Sequence, residues 1–410
     1  MLFGSRRKRQ YLYYAILALS VSLLALSMLV WPKETYQGAS FGLELWATVL
    51  VPSLLPFFII TEILLGFGLV KVLGELLEPL MRPVFNLPGA TSFALAMGFT
   101  SGFPIGAILT RRLYEEGLCS VKEGERLVSF TNNSSPLFIL AAVGIGMFND
   151  PALGMVLVCA HYLSNLLLGI LLGLSAERVP RLPSSTRNIF RQSLHVFIQE
   201  QRKRKPLGNI LKEAVKNGTN NIIQIGGFVV FFAVLTTILN RAGLLFYMSQ
   251  AFAFLLQRLS LPAEVSVAVT KGFWEMTLGL QELSAHELPF MVKAIGGSII
   301  LGWSGLSIQA QVTSFLSGSG ISPRLYYGSR ILQAFLAGLI AGLLAWPEAL
   351  WNGLTALPVF AGLQDTGYAA FDIKYKILYH FSFALKECLV ILLGMLMLAI
   401  LSALFLKGRR

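Results

Sequence analysis

The run Thr131-Asn132-Asn133-Ser134-Ser135-Pro136 sets five consecutive hydroxyl and amide side chains before a proline, between the apolar flanks Val128-Ser129-Phe130 and Leu137-Phe138-Ile139. Short polar side chains compete for neighbouring backbone groups, and proline cannot donate into a continuing helix. The run therefore predicts a break in an apolar helix, with a new half-helix starting at Pro136. Such a half-helix aims free N–H groups and its positive dipole end at whatever binds beside Asn133 and Ser134. Three further segments have the composition of unwound backbone: Gly98-Phe99-Thr100-Ser101-Gly102-Phe103-Pro104-Ile105-Gly106, Gly272-Phe273-Trp274-Glu275-Met276-Thr277-Leu278-Gly279, and Trp303-Ser304-Gly305-Leu306-Ser307-Ile308-Gln309-Ala310-Gln311. Together the four make one polar site for a small solute, lined by Thr100, Ser101, Gly102, Thr131, Asn132, Asn133, Ser134, Ser135, Trp274, Ser304 and Ser307. The plainer alternative is that these side chains only join helices, at about 0.6 to 2 kcal/mol per contact.

Glu275 stands apart, because an ionisable group at membrane depth is costly and is a functional candidate by default. Lys271 precedes it by four residues, a spacing that makes a neutralising pair on a continuous helix. In the functional reading Lys271 instead attracts an anion, while Glu275 binds a coupling proton or cation. Glu62 and Glu282 are weaker candidates, and Arg111 and Arg112 read as topology anchors or as the lining of an inner vestibule that collects anions. Of the histidines only His161 falls inside an apolar run, where packing is the expected role. No P-loop, HExxH, GxSxG or paired-carboxylate arrangement is present, so neither catalysis nor ATP hydrolysis is expected. Cys119, Cys159 and Cys388 are isolated, and no metal site, disulfide framework or cofactor is implied.

The elements that must carry these residues are membrane helices. The chain has 410 residues, 55% hydrophobic and 13% charged, with a mean hydropathy of +0.67, where soluble domains carry about 25% charged residues. Its 33 Lys+Arg against 21 Asp+Glu report topology and anionic headgroups, and no basic stripe with interleaved aromatics suggests nucleic acid. A spanning helix needs about 20 apolar residues. Such runs cover residues 11–31, directly after Arg6-Arg7-Lys8-Arg9, then 41–70, 90–109, 127–148 and 152–174; after a polar stretch they resume at 222–246, 263–280, 288–316, 325–346 and 388–406. The basic clusters place the N-terminus, the linker and the C-terminal Lys407-Gly408-Arg409-Arg410 in the cytoplasm, and residues 347–386 read as an external loop. The expected organisation is an anchor helix (1–40), a first repeat (41–176), a basic cytoplasmic linker (177–209), a second repeat (210–346) and a loop with a final helix (347–410).

Five apolar runs precede the linker, yet two cytoplasmic ends require an even number of crossings. The run 90–109, broken by its glycines and closed by Arg111-Arg112, is the one expected to enter and leave on the same side as a re-entrant hairpin. At an offset of 174 residues Phe57-Phe58 falls on Phe231-Phe232, Leu87-Pro88 on Leu261-Pro262, Ala94 on Ala268 and Gly98-Phe99 on Gly272-Phe273. The first copy starts outside and the second inside, so the repeats are inverted, as in secondary transporters with discontinuous helices. The expected fold is an all-α polytopic membrane protein with two re-entrant hairpins and two broken transmembrane helices.

The glycine hairpin, Glu123-Gly124-Glu125-Arg126-Leu127, the run from Ser129 through Phe138, and the segment Gly272 through Gly279 resemble the YlbJ family of sporulation integral membrane proteins, also called stage V sporulation protein V, over roughly residues 40–400. That family belongs to the nucleoside-recognition Gate-domain group, similar in layout to concentrative nucleoside transporters. The resemblance implies a protein of the outer forespore membrane that moves dipicolinic acid out of the mother cell, with the hairpin tips and broken helices as the site. A flat aromatic dianion suits half-helix N-termini and ring partners such as Phe103 or Trp274. A nucleoside or other metabolite carrier and a non-transporting sporulation scaffold stay open as alternatives, as does homo-oligomerisation.

Overall fold

The computed structural model describes residues 2–177, 189–203, 205–257 and 262–345. The sequence-predicted external loop and last helix (347–410), with His380 and Cys388, lie outside the described residues. All regular structure among the described residues is helical.

α1 (Leu2–Val30) turns sharply into α2 (Pro32–Leu45), which passes through a π-helical turn, Trp46–Leu50, into α3 (Val51–Gly66). The axes of Tyr14–Val30 and Pro32–Thr48 meet at 102°, and those of Leu54–Gly66 and Leu69–Phe85, the latter being α4, at 83°. α4 ends at Asn86 in the left-handed region (φ 53°). A hairpin follows, α5 (Thr91–Ser101) and α6 (Ile105–Glu115), then α7 (Val121–Thr131), a π-helix Phe138–Met147 and the continuous α8 (Pro151–Leu174). Local chemistry sets these boundaries. Ser120 and Glu123 form a reciprocal capping box at the start of α7. Asp150 accepts from the Leu153 amide at 3.0 Å to start α8, with Pro151 at the first helical position.

The stretch read as a basic connector contains α9 (Ile189–Lys203), which is docked on α4. Lys71 meets Glu200 at 3.0 Å, and Gln201 donates to the Phe67 carbonyl at 3.1 Å. The order of elements then recurs: long α10 (Leu207–Arg241), α11 (Leu244–Gln257), a hairpin of α12 (Ala263–Trp274) and α13 (Met276–Ser284), a broken pair of α14 (Phe290–Trp303) and α15 (Gly305–Leu316), and continuous α16 (Arg324–Ala345). α8, α10, α16 and the stretch Phe290–Leu316 are long and apolar enough to cross a membrane, besides the two bent pairs.

The two halves exchange packing partners. α8 lies against its own Phe138–Met147 helix and against α14, while α16 lies against α14 and against α7. The second arm of each hairpin rests on the other half's broken helix, α6 on α15 and α13 on Phe138–Met147. α16 is divided accordingly: Ile331, Phe335, Leu339 and Leu343 are exposed on one face, while Tyr326, Arg330, Gln333, Ala337 and Ala341 are buried on the other. An apolar exposed face and a polar buried one are the inside-out pattern expected of a helix in lipid.

Candidate functional site

The polar run after α7 is unwound as its composition requires. Asn132 is extended (φ −93°, ψ 92°), residues 132–135 have no regular structure, and helix resumes at Pro136. Ser135 caps the new half-helix, its Oγ accepting from the Phe138 amide at 3.2 Å, so part of the free N–H array is already satisfied. Asn132, Asn133 and Ser134 are all buried.

Continuous helices hold this break from both sides. On the α8 side, the Ser134 amide donates to His161 Nε2 at 3.2 Å. The Tyr162 hydroxyl lies 2.7 Å from both the Phe99 and the Ser134 carbonyl oxygens, tying hairpin to break. On the α16 side, Asn132 Nδ2 donates to the Tyr326 hydroxyl at 3.3 Å. Arg330 donates to the carbonyls of Asn132, at 3.3 Å, and Ser129, which are among the acceptors freed at the C-terminal end of α7.

The hairpin tips seat directly on the breaks. Gly102, at the first tip, has φ +88°, and a Cβ there would lie 2.9 Å from the Ser135 amide nitrogen. Gly305, at the second break, has φ +77°, and its Cβ would lie 2.9 Å from the Met276 nitrogen and 3.2 Å from Glu275 Cα. Only glycine combines that backbone conformation with that proximity. The halves meet where Ser134 Oγ approaches the Met276 sulfur at 3.7 Å. The second tip is also fastened to the second break: Trp303 donates to the Phe273 carbonyl at 3.0 Å, and the two rings stack with centroids 5.3 Å apart.

The neutralising pair of Lys271 and Glu275, one of the two readings of their spacing, does not form. α12 ends at Trp274, and Glu275 is extended (φ −142°, ψ 121°), which takes its side chain off the α12 face. Its carboxylate turns forward to cap α13, accepting from the Leu278 amide at 2.8 Å. Lys271 pairs instead with Glu282 on the neighbouring arm, and His286 also approaches Glu282 at 3.5 Å. Arg111 pairs with Glu115 at 2.6 Å and Arg112 with Glu116 at 3.3 Å. Glu62 accepts from Asn217 at 2.8 Å and lies 3.8 Å from Arg112.

The remaining candidates differ in how much bonding capacity they keep. The Thr100 and Thr131 hydroxyls bond the carbonyls of Ala96 (2.9 Å) and Leu127 (2.7 Å) on their own helices, and Ser304 bonds the Trp303 carbonyl at 2.6 Å. Ser101 Oγ, Asn132 Oδ1, Asn133 Oδ1 and Trp274 Nε1 are buried with no hydrogen-bond partner among the described residues. Ser307 is buried on α15; Gln309, two residues on, donates to the freed Trp303 carbonyl at 3.1 Å. Tyr326, Arg330 and Gln333 are site residues that no local motif announces. Their signal is a spacing of i, i+4 and i+7 inside the apolar run 325–346, which aligns three polar side chains along one helix face.

The family model described as nucleoside recognition (Gate) matches residues 47–177. The chain is 39% identical over 321 residues to the sporulation integral membrane protein YlbJ of Bacillus subtilis (strain 168), covering 77% of this chain and 79% of that protein. An uncharacterized protein of Alkalihalophilus pseudofirmus is 26% identical over 156 residues, covering 36% of this chain and 31% of that protein. No solved structure matches.

Proposed function

Because the chain belongs to the family of the sporulation integral membrane protein YlbJ, we propose that it is a transporter of a small anionic metabolite, dipicolinic acid, across the outer forespore membrane. The reading is supported by one arrangement: two hairpin tips and two helix breaks brought together around the buried Asn132-Asn133-Ser134. Unwound backbone at membrane depth is stable only where protein or a water-filled cavity satisfies it. Here α8 and α16 supply donors and acceptors to the break, and Asn132 Oδ1 and Asn133 Oδ1 within it keep unused bonding capacity among the described residues. In this proposal the two repeats run through the bilayer in opposite senses, the hairpins are re-entrant, and the layout resembles that of concentrative nucleoside transporters. Glu275, capping α13 at the second tip, takes the coupling proton or cation.

Uptake of dipicolinate into proteoliposomes tests this, comparing wild type with Asn133→Ala and Glu275→Gln at matched reconstitution. Saturable uptake lost in either variant is the expected result. The Gate model's description favours a second reading, a nucleoside carrier, which indifference to dipicolinate with saturable nucleoside uptake would select. Vesicles inert to a broad solute panel would overturn transport altogether.

A further inference from the structure

Arg330 is the largest fully buried side chain among the described residues. The buried acidic and basic groups there, histidine aside, are Glu123 and Arg330. Glu123 has Arg82 at 3.0 Å, whereas Arg330 makes no ion pair with any described residue. Its surroundings are dipoles: the carbonyls of Ser129 and Asn132 and the face of Tyr326, whose ring centroid lies 5.0 Å from the guanidinium carbon. These soften a desolvated positive charge without cancelling it. Among the described residues Arg330 Nε has no partner, and neither does either amide atom of Gln333, three residues further along the same face of α16. Lys271 is neutralised by Glu282, and Arg111 and Arg112 by Glu115 and Glu116; Arg126, earlier on α7, is half-buried and donates away from the break to the Asn86 carbonyl at 2.8 Å.

We propose that Arg330, assisted by Gln333, is the anion-recognising element of the transport site: a solute carboxylate reaching the Asn132–Ser135 break takes over the guanidinium from the Asn132 carbonyl. This rests on the transporter reading given above. The planar guanidinium presents parallel donors that match a carboxylate in bidentate geometry, and an uncompensated buried cation favours anions over neutral solutes of similar shape. The substrate class is a small carboxylate or dicarboxylate, and Arg330 sets that selectivity.

The test measures the concentration dependence of uptake by the full chain in proteoliposomes, with dipicolinate and a neutral nucleoside as probes, for wild type, Arg330→Lys, Arg330→Gln and Gln333→Leu. The expected result is a loss of about 100-fold in dipicolinate kcat/KM for Arg330→Gln, about tenfold through KM for Arg330→Lys, and a few-fold rise in KM for Gln333→Leu. Unchanged dipicolinate KM in Arg330→Lys and Gln333→Leu overturns the proposal and leaves Arg330 as a cap on α7, even if Arg330→Gln fails to fold. Wild-type uptake confined to the neutral nucleoside also overturns it, while the transporter reading survives. If wild-type vesicles are inert to both probes, the transporter reading is what fails. Dipicolinate-dependent thermal stabilisation of the detergent-purified chain then decides the recognition role: stabilisation present in wild type and lost in Arg330→Gln supports it, and no stabilisation overturns it.

Discussion

Substituting Gly305 by alanine should unseat the second hairpin tip from the second break. Two effects add. The backbone at Gly305 has φ +77°, where a residue with a Cβ is destabilised by about 1–2 kcal/mol. The new methyl carbon would sit 2.9 Å from the Met276 nitrogen, 3.2 Å from Glu275 Cα and 3.3 Å from the Gly272 carbonyl oxygen. All three are backbone atoms that cannot rotate away, and overpacking of this kind costs about 1–3 kcal/mol. The expected total is about 2–5 kcal/mol, borne by the contact that positions Glu275. Gly227 is the internal control: it lies within α10 and a Cβ there meets nothing within 4 Å, so Gly227→Ala should be neutral or stabilising by about 0.5–1 kcal/mol. Thermal unfolding of both variants in one detergent separates them, and uptake should fall only in Gly305→Ala. A Gly305→Ala protein that melts with Gly227→Ala and transports normally would refute the seating of tip on break.

Three further outcomes follow from the same geometry. Tyr162→Phe leaves the Phe99 and Ser134 carbonyls without the hydroxyl that lies 2.7 Å from each, a loss of about 1–3 kcal/mol, read as a lower melting temperature that Tyr162→Trp does not restore. Lys271→Met and Glu282→Gln should show a coupling of about 1 kcal/mol in a double-mutant cycle, both groups being partly exposed; Lys271→Met and Glu275→Gln should add to within about 0.5 kcal/mol, and the reverse pattern would reinstate the pair assumed from spacing. Cys119, in the connection between α6 and α7, has its thiol pushed up to about 12 from 9.0 by burial and by the Glu123 carboxylate. In a Cys159→Ser, Cys388→Ser background, maleimide labelling at pH 8 should run far below that of a free cysteine and rise with pH; labelling at the free rate would refute it.

The breaks were legible in sequence because their causes are local. Five amide and hydroxyl side chains followed by Pro136 disfavour a continuous helix through their own local bonding, and the glycines at 102 and 305 announce backbone that other residues avoid. Of the residues matched at the 174-residue offset, Phe57-Phe58 lies on α3 and Phe231-Phe232 on α10. The docking of α9 on α4 was not legible: a basic stretch signals its side of the membrane, and nothing within it names a distant partner for Glu200.

Lys271, Glu275 and Arg330 show where local reasoning stops. The i, i+4 rule assumes one continuous helix, and the break at Glu275 removes that premise; a carboxylate that caps the helix ahead of it cannot also reach the lysine behind it. Arg330 escaped for the opposite reason. Two cations in 22 residues of α16, Arg324 at its start and Arg330 further along, barely move a hydropathy average, so the run reads only as an apolar span. The chemistry of Arg330 appears only once tertiary packing turns it onto a broken helix and, among the described residues, supplies no carboxylate. An ion pair can be guessed from spacing, whereas a missing counter-ion is a property of the assembled fold. Buried cations that the folded chain leaves uncompensated are therefore the places where such a protein should be asked what anion it receives.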